Sequence, residues 1–270
     1  MNTHYEVVIV GAGSAGLAAL REVKKRTQDF LLVNDGPWGT TCARVGCMPS
    51  KVLIEAANAY HRRGAFEEFG IRGAGALSVD LPAVLRRVRR LRDGFVKGTL
   101  QATDGLGERA VSGRARLLGP GRLEVNGREI SARAIVLATG SSPVVPPAWR
   151  SLGERLLTTD TLFELESLPP RIAVVGLGAI GVEMAQALAR LGIAVSAFGR
   201  GHLGGLSDAK VSAAATALLG GEFALHLGAE AEVTAADGAI RVRAGDAEAT
   251  VDAVLAALGR RPNLAGLGLE

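Results

Sequence analysis

Apolar positions along the 270-residue chain fall into two kinds of run, and each predicts a different element. Short unbroken stretches read as strands: "VVIV" at 7–10, "FLLV" at 30–33, "AIVLA" at 134–138 and "AVV" at 173–175. "AIRVRA" and "TVDAVLAALG" add shorter strands near the end, and "RLEVNGREI" reads as a hairpin with Asn126 and Gly127 in its turn. Helical spacing appears elsewhere. Leu81, Leu85, Val88, Leu91 and Phe95 form one stripe, and Arg86, Arg87, Arg89, Arg90 and Arg92 lie mostly off it on a face expected to be solvated. "KVLIEAANAYH" at 51–61 is also helical, and Pro143, Pro146, Pro147, Pro169 and Pro170 bracket a crossover between domains.

Two of the strands run directly into G-x-G-x-x-G and then into a helical pattern. The glycines are Gly11, Gly13 and Gly16 in one copy and Gly176, Gly178 and Gly181 in the other, 165 residues apart from Gly11 to Gly176. In this context the first glycine permits a tight turn, the second admits a pyrophosphate, and the third lets helix pack close to strand. The positive end of the helix then faces the phosphates. The duplication predicts an α/β chain of two Rossmann-like dinucleotide-binding domains. An acid is expected at the end of the following strand to hold the ribose. Asn34, then Asp35, stand there in the first copy; Gly199 and Arg200, with His202 nearby, stand there in the second. Loss of the acid beside an arginine suits a 2′-phosphate.

The length agrees with about two domains. No apolar run approaches the roughly 18 residues of a membrane span, so no membrane insertion is expected. A net charge of +4 favours anionic ligands only mildly, and aromatics at 4% are too few to interleave with basic residues for nucleic acid. Cys42 and Cys47 are the only cysteines, and His4, His61, His202 and His226 are scattered without ligand spacing, so no metal site is expected. "MNTHYEVVIVGAG" runs straight into a strand with no signal peptide, which predicts a cytoplasmic chain. There, a close thiol pair serves exchange more often than stapling.

"GAGSAG", "GTTCARVGCMPSK", "ATGSSP", "GLGAIGVE" and "GRRPN" occur in that order, and together the chain resembles the pyridine-nucleotide disulfide oxidoreductases over nearly all its length. That family includes glutathione reductase, mercuric reductase and dihydrolipoamide dehydrogenase, the last being the nearest pattern. The resemblance implies an FAD-binding domain over 1–146, an NAD(P)-binding domain over 147–258, and a return toward the FAD domain from 259. Electrons would pass from NAD(P)H through FAD to Cys42 and Cys47, and on to a small-molecule or protein-bound disulfide. Cys47 would lie against the flavin as the charge-transfer thiolate, and Cys42 would attack the substrate. A helix start with Arg44 and Lys51 is expected to lower the thiol pKa values. Lys51 matches the lysine near the flavin ring, and Glu183 the glutamate that pairs with it beside the nicotinamide. By the same matching, Gly11, Gly13, Ser14, Ala15, Gly16, Asn34, Asp35, Thr41, Thr139 and Gly140 would bind FAD. Gly176, Gly178, Ile180, Gly181 and Arg200 would bind NAD(P)H, and Arg260 belongs to "GRRPN".

This chain departs from the pattern at Thr40, where a second glycine is usual, and at Arg44, where asparagine is common. Arg200 favours NADPH, while Gly181 resembles the NADH-using branch. The family's C-terminal dimerisation domain, with its catalytic histidine and glutamate, is not in these 270 residues, and a longer form would be a homodimer. Without the last strand, a sheet edge should lie uncovered. The alternative is a dinucleotide-binding redox sensor without efficient turnover.

Overall fold

A computed structural model describes residues 3–236 and 238–269. The chain divides into two units. The first takes the chain up to Met48, Arg92–Ser142 and the chain from Arg261; the second takes Pro49–Leu91 and Pro143–Arg260.

The first unit is built on β1 (His4–Val10), β2 (Phe30–Asn34), β3 (Ala110–Ser112), β4 (Ala115–Gly119), β5 (Arg122–Val125) and β6 (Arg128–Leu137), in the order β3-β2-β1-β6-β5-β4. β3, β2, β1 and β6 run parallel, with Val8 opposite Leu31 and Ile135, and β4 and β5 add antiparallel pairs. Alternation sends neighbouring side chains to opposite faces. Val8, Val10, Leu31 and Val33 fill one core cluster; Ile9, Phe30 and Leu32 fill another, against Leu20 of α1 (Ser14–Val23). After β2 come a single short turn of helix, α2 (Thr41–Arg44), and then α3 (Cys47–His61).

The expected hairpin forms with Val125 opposite Arg128, and Asn126 and Gly127 both take positive φ (52° and 74°) as a two-residue turn demands. The apolar run at 134–138 is less buried than its unbroken apolar character implies. It is the second half of β6, where Ile135 and Val136 are half-buried and Leu137 is 41% exposed. Beyond Ala132 that half pairs with β1 on one side and, among the described residues, with no strand on the other. On the same side of the sheet, the outermost strand β4 is met by the C-terminal segment. Leu117 of β4 donates its N–H to the Leu267 carbonyl, and Leu267 is buried in the first cluster.

In the second unit β8 (Leu156–Leu157), β9 (Arg171–Val175), β10 (Ala194–Gly199), β11 (Ala224–Leu227) and β15 (Ala253–Ala256) form a parallel sheet in the order β11-β10-β9-β15-β8. One face packs Ile172, Val174, Val195 and Leu255 against Leu53 and Ala57 of α3, Leu85 and Val88 of α4 (Leu81–Leu100), and Met184 and Leu188 of α6 (Ala179–Arg190). The other face packs Ala173, Val175 and Phe198 against a meander of β12 (Glu232–Ala236), β13 (Ala239–Ala244) and β14 (Ala247–Val251). On α4, Arg86, Arg87 and Arg90 are exposed as expected. Arg89 instead donates to the Phe163 and Leu165 carbonyls, and Arg92, only 11% exposed, bonds Asp93. Among the described residues no helix is long and apolar enough to cross a membrane.

Candidate functional site

Each G-x-G-x-x-G forms the turn between a strand and a helix, and its three glycines answer three different demands. Gly11 and Gly176 hold φ of 109° and 98°, where an L side chain is strained, and a Cβ there would collide with the carbonyl of Ala138 or Ala257. A Cβ on Gly16 or Gly181 would collide with the carbonyl oxygen of Gly11 or Gly176. Gly13 and Gly178 are under no such demand. They have ordinary extended φ of −76° and −68°, and a Cβ on either would meet nothing within 4 Å. Each is the N-cap of a helix of ten or more residues with no side-chain cap, so the first-turn N–H groups, at Ser14 and Ala15 or Ala179 and Ile180, stand at an open position. A pyrophosphate fits such a space, where the helix dipole favours negative charge.

The ribose positions differ from the pattern. Asn34 is buried, and its amide is committed within the protein: Oδ1 accepts from Ala12 N at 3.1 Å, and Nδ2 donates to the Gly36 and Pro37 carbonyls at 3.0 and 3.3 Å. It ties the glycine turn to the end of β2 and leaves Asp35 as the exposed carboxylate there. In the second unit a Cβ on Gly199 would come within 3.1 Å of the Leu177 side chain, which gives glycine a packing reason at that position. Arg200 is exposed and lies 3.5 Å from the Glu230 carboxylate, a residue with no periodic or motif signal in the sequence.

The loop after β6 holds Thr139 and Gly140, the latter at φ 68°. Asn263 closes it. Its Nδ2 donates to the Thr139 carbonyl and its N–H to the Gly140 carbonyl, both at 3.0 Å, while its Oδ1 accepts from Ser142 Oγ at 2.8 Å. Asn263 is the last residue of "GRRPN", and sequence reasoning had no role for it. Arg260, from the same stretch, sits 3.6 Å from Asp160.

Cys42 lies on α2 and Cys47 opens α3, and the two thiols are not joined. Gly46 permits the close return: a Cβ there would lie 3.1 Å from the Thr41 carbonyl oxygen and 3.3 Å from Cys42 Cα. Thr40, the departure from pattern, is buried and caps α2, its hydroxyl accepting from Ala43 N at 3.0 Å. Thr41 follows as the first, exposed residue of that helix. The expected lowering of the thiol pKa by Arg44 and Lys51 is corrected at Cys42. The hydrogen bond its protonated thiol makes to the Cys47 side chain, partial burial and the charge of Cys47 push it above the ordinary cysteine value, opposed only by a backbone bond from Cys47. Neither Arg44 nor Lys51 is among the groups acting on it. One turn after Cys47, Lys51 Nζ reaches Glu183 Oε1 at 2.6 Å, the ion pair that the motif matching anticipates.

Two helix-opening turns shaped for a pyrophosphate, together with a dithiol in hydrogen-bond contact, define a two-dinucleotide thiol protein. The sequence profile of the pyridine nucleotide-disulphide oxidoreductases matches residues 5–270, and the chain belongs to that family. Its members are flavoprotein oxidoreductases that use FAD and NAD(P)H. The chain is 32% identical over 271 residues to glutathione reductase of Burkholderia cepacia, covering 98% of this chain and 60% of that protein. It is 32% identical over 277 residues to mercuric reductase of Acidithiobacillus ferrooxidans (98% and 50%), and 29% over 281 to dihydrolipoyl dehydrogenase of Chlamydia pneumoniae (100% and 59%). Among solved structures, LpdA of Mycobacterium tuberculosis superposes with a TM-score of 0.83 at 25% identity, covering 99% of this chain and 61% of that one. The HOCl-induced flavoprotein disulfide reductase RclA of Escherichia coli gives 0.81 at 25% (97% and 58%). The chain thus spans half to three-fifths of its relatives' length.

Proposed function

We propose that this chain belongs to a flavoprotein disulfide reductase, similar to dihydrolipoamide dehydrogenase, that passes two electrons from NAD(P)H to the Cys42–Cys47 pair and on to a lipoamide-like or other disulfide. The observation that carries it is the hydrogen-bonded contact between the two thiols at the start of α3. When bound, NAD(P)H supplies the electron pair and FAD relays it. Gly11, Gly13, Gly16 and the N–H groups of Ser14 and Ala15 hold the flavin dinucleotide, with Asp35 at the ribose, Thr139 and Gly140 in the loop held by Asn263, and Thr41 beside the thiols. Gly176, Gly178, Gly181 and Ile180 hold the nicotinamide dinucleotide, with Arg200 at its ribose end.

Reduction turns the Cys42–Cys47 disulfide into two thiols, taking up two electrons and two protons. Cys42 then loses its proton and attacks one sulfur of the substrate disulfide, which releases the other substrate sulfur as a protonated thiol. Cys47 next displaces the bound substrate sulfur and restores the protein disulfide. Because the Cys42 thiol holds its proton more tightly than an ordinary cysteine, the attack needs a proton acceptor. The family description supports the disulfide class, and three relatives of similar identity named glutathione reductase, mercuric reductase and dihydrolipoyl dehydrogenase favour no one substrate.

The test is a thiol count on FAD-loaded protein under anaerobic conditions. NAD(P)H should raise the titratable thiols by about two per oxidised chain, and Cys42→Ser or Cys47→Ser should abolish the increase. No increase in the parent protein would sink the electron path. A redox-sensing role is the second reading, favoured by the raised Cys42 pKa, and it is distinguished by the same thiol increase without multiple turnover of a disulfide.

A further inference from the structure

The polar contacts joining α3 to α6 repeat every seven residues. Lys51 and Asn58 lie seven apart on α3, Glu183 and Arg190 seven apart on α6, and each pairs with its counterpart at 2.6 Å: Lys51 Nζ with Glu183 Oε1, and Arg190 Nη1 with Asn58 Oδ1. Seven residues make about two helical turns, so both rungs lie on one face of each helix, and the helices run parallel in a single register. Between the rungs, Leu53 and Ala57 share a core cluster with Met184, Ala187 and Leu188.

The two rungs are not equally well held. Lys51 and Glu183 are 57% and 43% exposed, and an exposed pair of long side chains fixes its own geometry poorly. Arg190 and Glu222 are only 19% and 21% exposed. Glu222 accepts from Arg190 Nε and Nη2 at 2.6 and 2.8 Å and from Gln186 Nε2 at 2.8 Å. A two-pronged, charge-assisted clasp of this kind does hold its geometry. Slipping α3 by one residue would turn Lys51 by about 100° around the helix axis, away from Glu183.

We propose that Arg190, braced by Glu222 and Gln186 and bonded to Asn58, is a positioning residue that sets the register of α3 on α6 and so keeps Lys51 against Glu183. Its consequence for reduction by NAD(P)H rests on the reading of Lys51 and Glu183 given above; the register itself does not. The experiment labels the native protein with a limiting amine-acetylating reagent and reads each lysine by peptide mass spectrometry, with Lys24, Lys97 and Lys210 as internal standards. Glu183→Gln should raise labelling of Lys51 by up to about fivefold, the range of an exposed ion pair. Arg190→Met and Asn58→Leu should raise it equally and leave the standards unchanged. Asn58→Leu keeps the Arg190–Glu222 clasp, so it tests the rung without removing the brace. Lys51 labelling that stays at the parent level in both variants while rising in Glu183→Gln overturns the proposal. NAD(P)H-driven reduction of bound FAD separates the two ideas. A rate unchanged by Lys51→Met and Glu183→Gln would remove the role of the pair, and the labelling result would still decide the register.

Discussion

At Gly13 and Gly178 the protein makes no demand that alanine would fail, so the glycines answer to something outside the protein's own packing. Gly13→Ala should leave urea stability within about 0.5 kcal/mol, because the φ is compatible and the poorer N-cap is offset by a stiffer unfolded chain. It should weaken FAD binding more than about tenfold by placing a methyl where the pyrophosphate approaches. Gly16→Ala should instead unfold the turn, since its Cβ has only the Gly11 carbonyl to move into. Equilibrium binding together with denaturation separates the two outcomes. At the other site, Arg200 already faces Glu230, which opposes a 2′-phosphate. Glu230→Gln should tighten NADPH while sparing NADH, and Arg200→Ala should cost NADPH about 1.5–3 kcal/mol. Equal effects on both cofactors, measured by titration, would show that neither residue discriminates.

Between elements, the α3–α6 pair carries a pH signature. The Arg190 guanidinium, helped by Gln186, holds the Glu222 carboxyl below the ordinary glutamate value. A carboxyl lowered in the folded state contributes stability that is fully present above its unfolded pKa of about 4.3 and is lost as pH falls through the folded value. Glu222→Gln should therefore cost about 1–3 kcal/mol at pH 7, and the gap between parent and variant should close at a pH below the lowered folded value. Urea melts at the two pH values check this; a constant gap would assign the loss to packing. The helix stripes and both glycine turns were legible in the sequence because periodicity and motif are local. The pairing of Asn58 with Arg190 was not, since it depends on register across 132 residues of chain.

For the whole molecule, the supply of a proton acceptor to Cys42 decides turnover. His4 bonds Ser131, His226 stacks on Phe198, and His202 is an exposed loop residue that matches no base in the family pattern. His61 closes the 15-residue α3 that Cys47 opens, about 21 Å along the axis. These 270 residues, loaded with FAD, should therefore turn over lipoamide or oxidised glutathione about 100-fold below the ~10 per second of a competent enzyme, the share a general base supplies. A rate near 10 per second would place an unrecognised base beside Cys42.

Chemistry that depends on neighbours in the chain was written in the sequence itself. The two strand–glycine–helix turns, the thiol pair with Lys51 one turn on, and the Asn126–Gly127 hairpin all follow from φ requirements and periodicity within a few residues. Tertiary structure decided what those residues do to one another. Asn34 is spent on the Ala12 N–H, Glu230 arrives beside Arg200 from another loop, Asn263 closes the Thr139–Gly140 loop, and Cys47 raises the Cys42 thiol. A hydrogen bond and a charge act over a few ångströms of space, and only the fold determines which residues share that space.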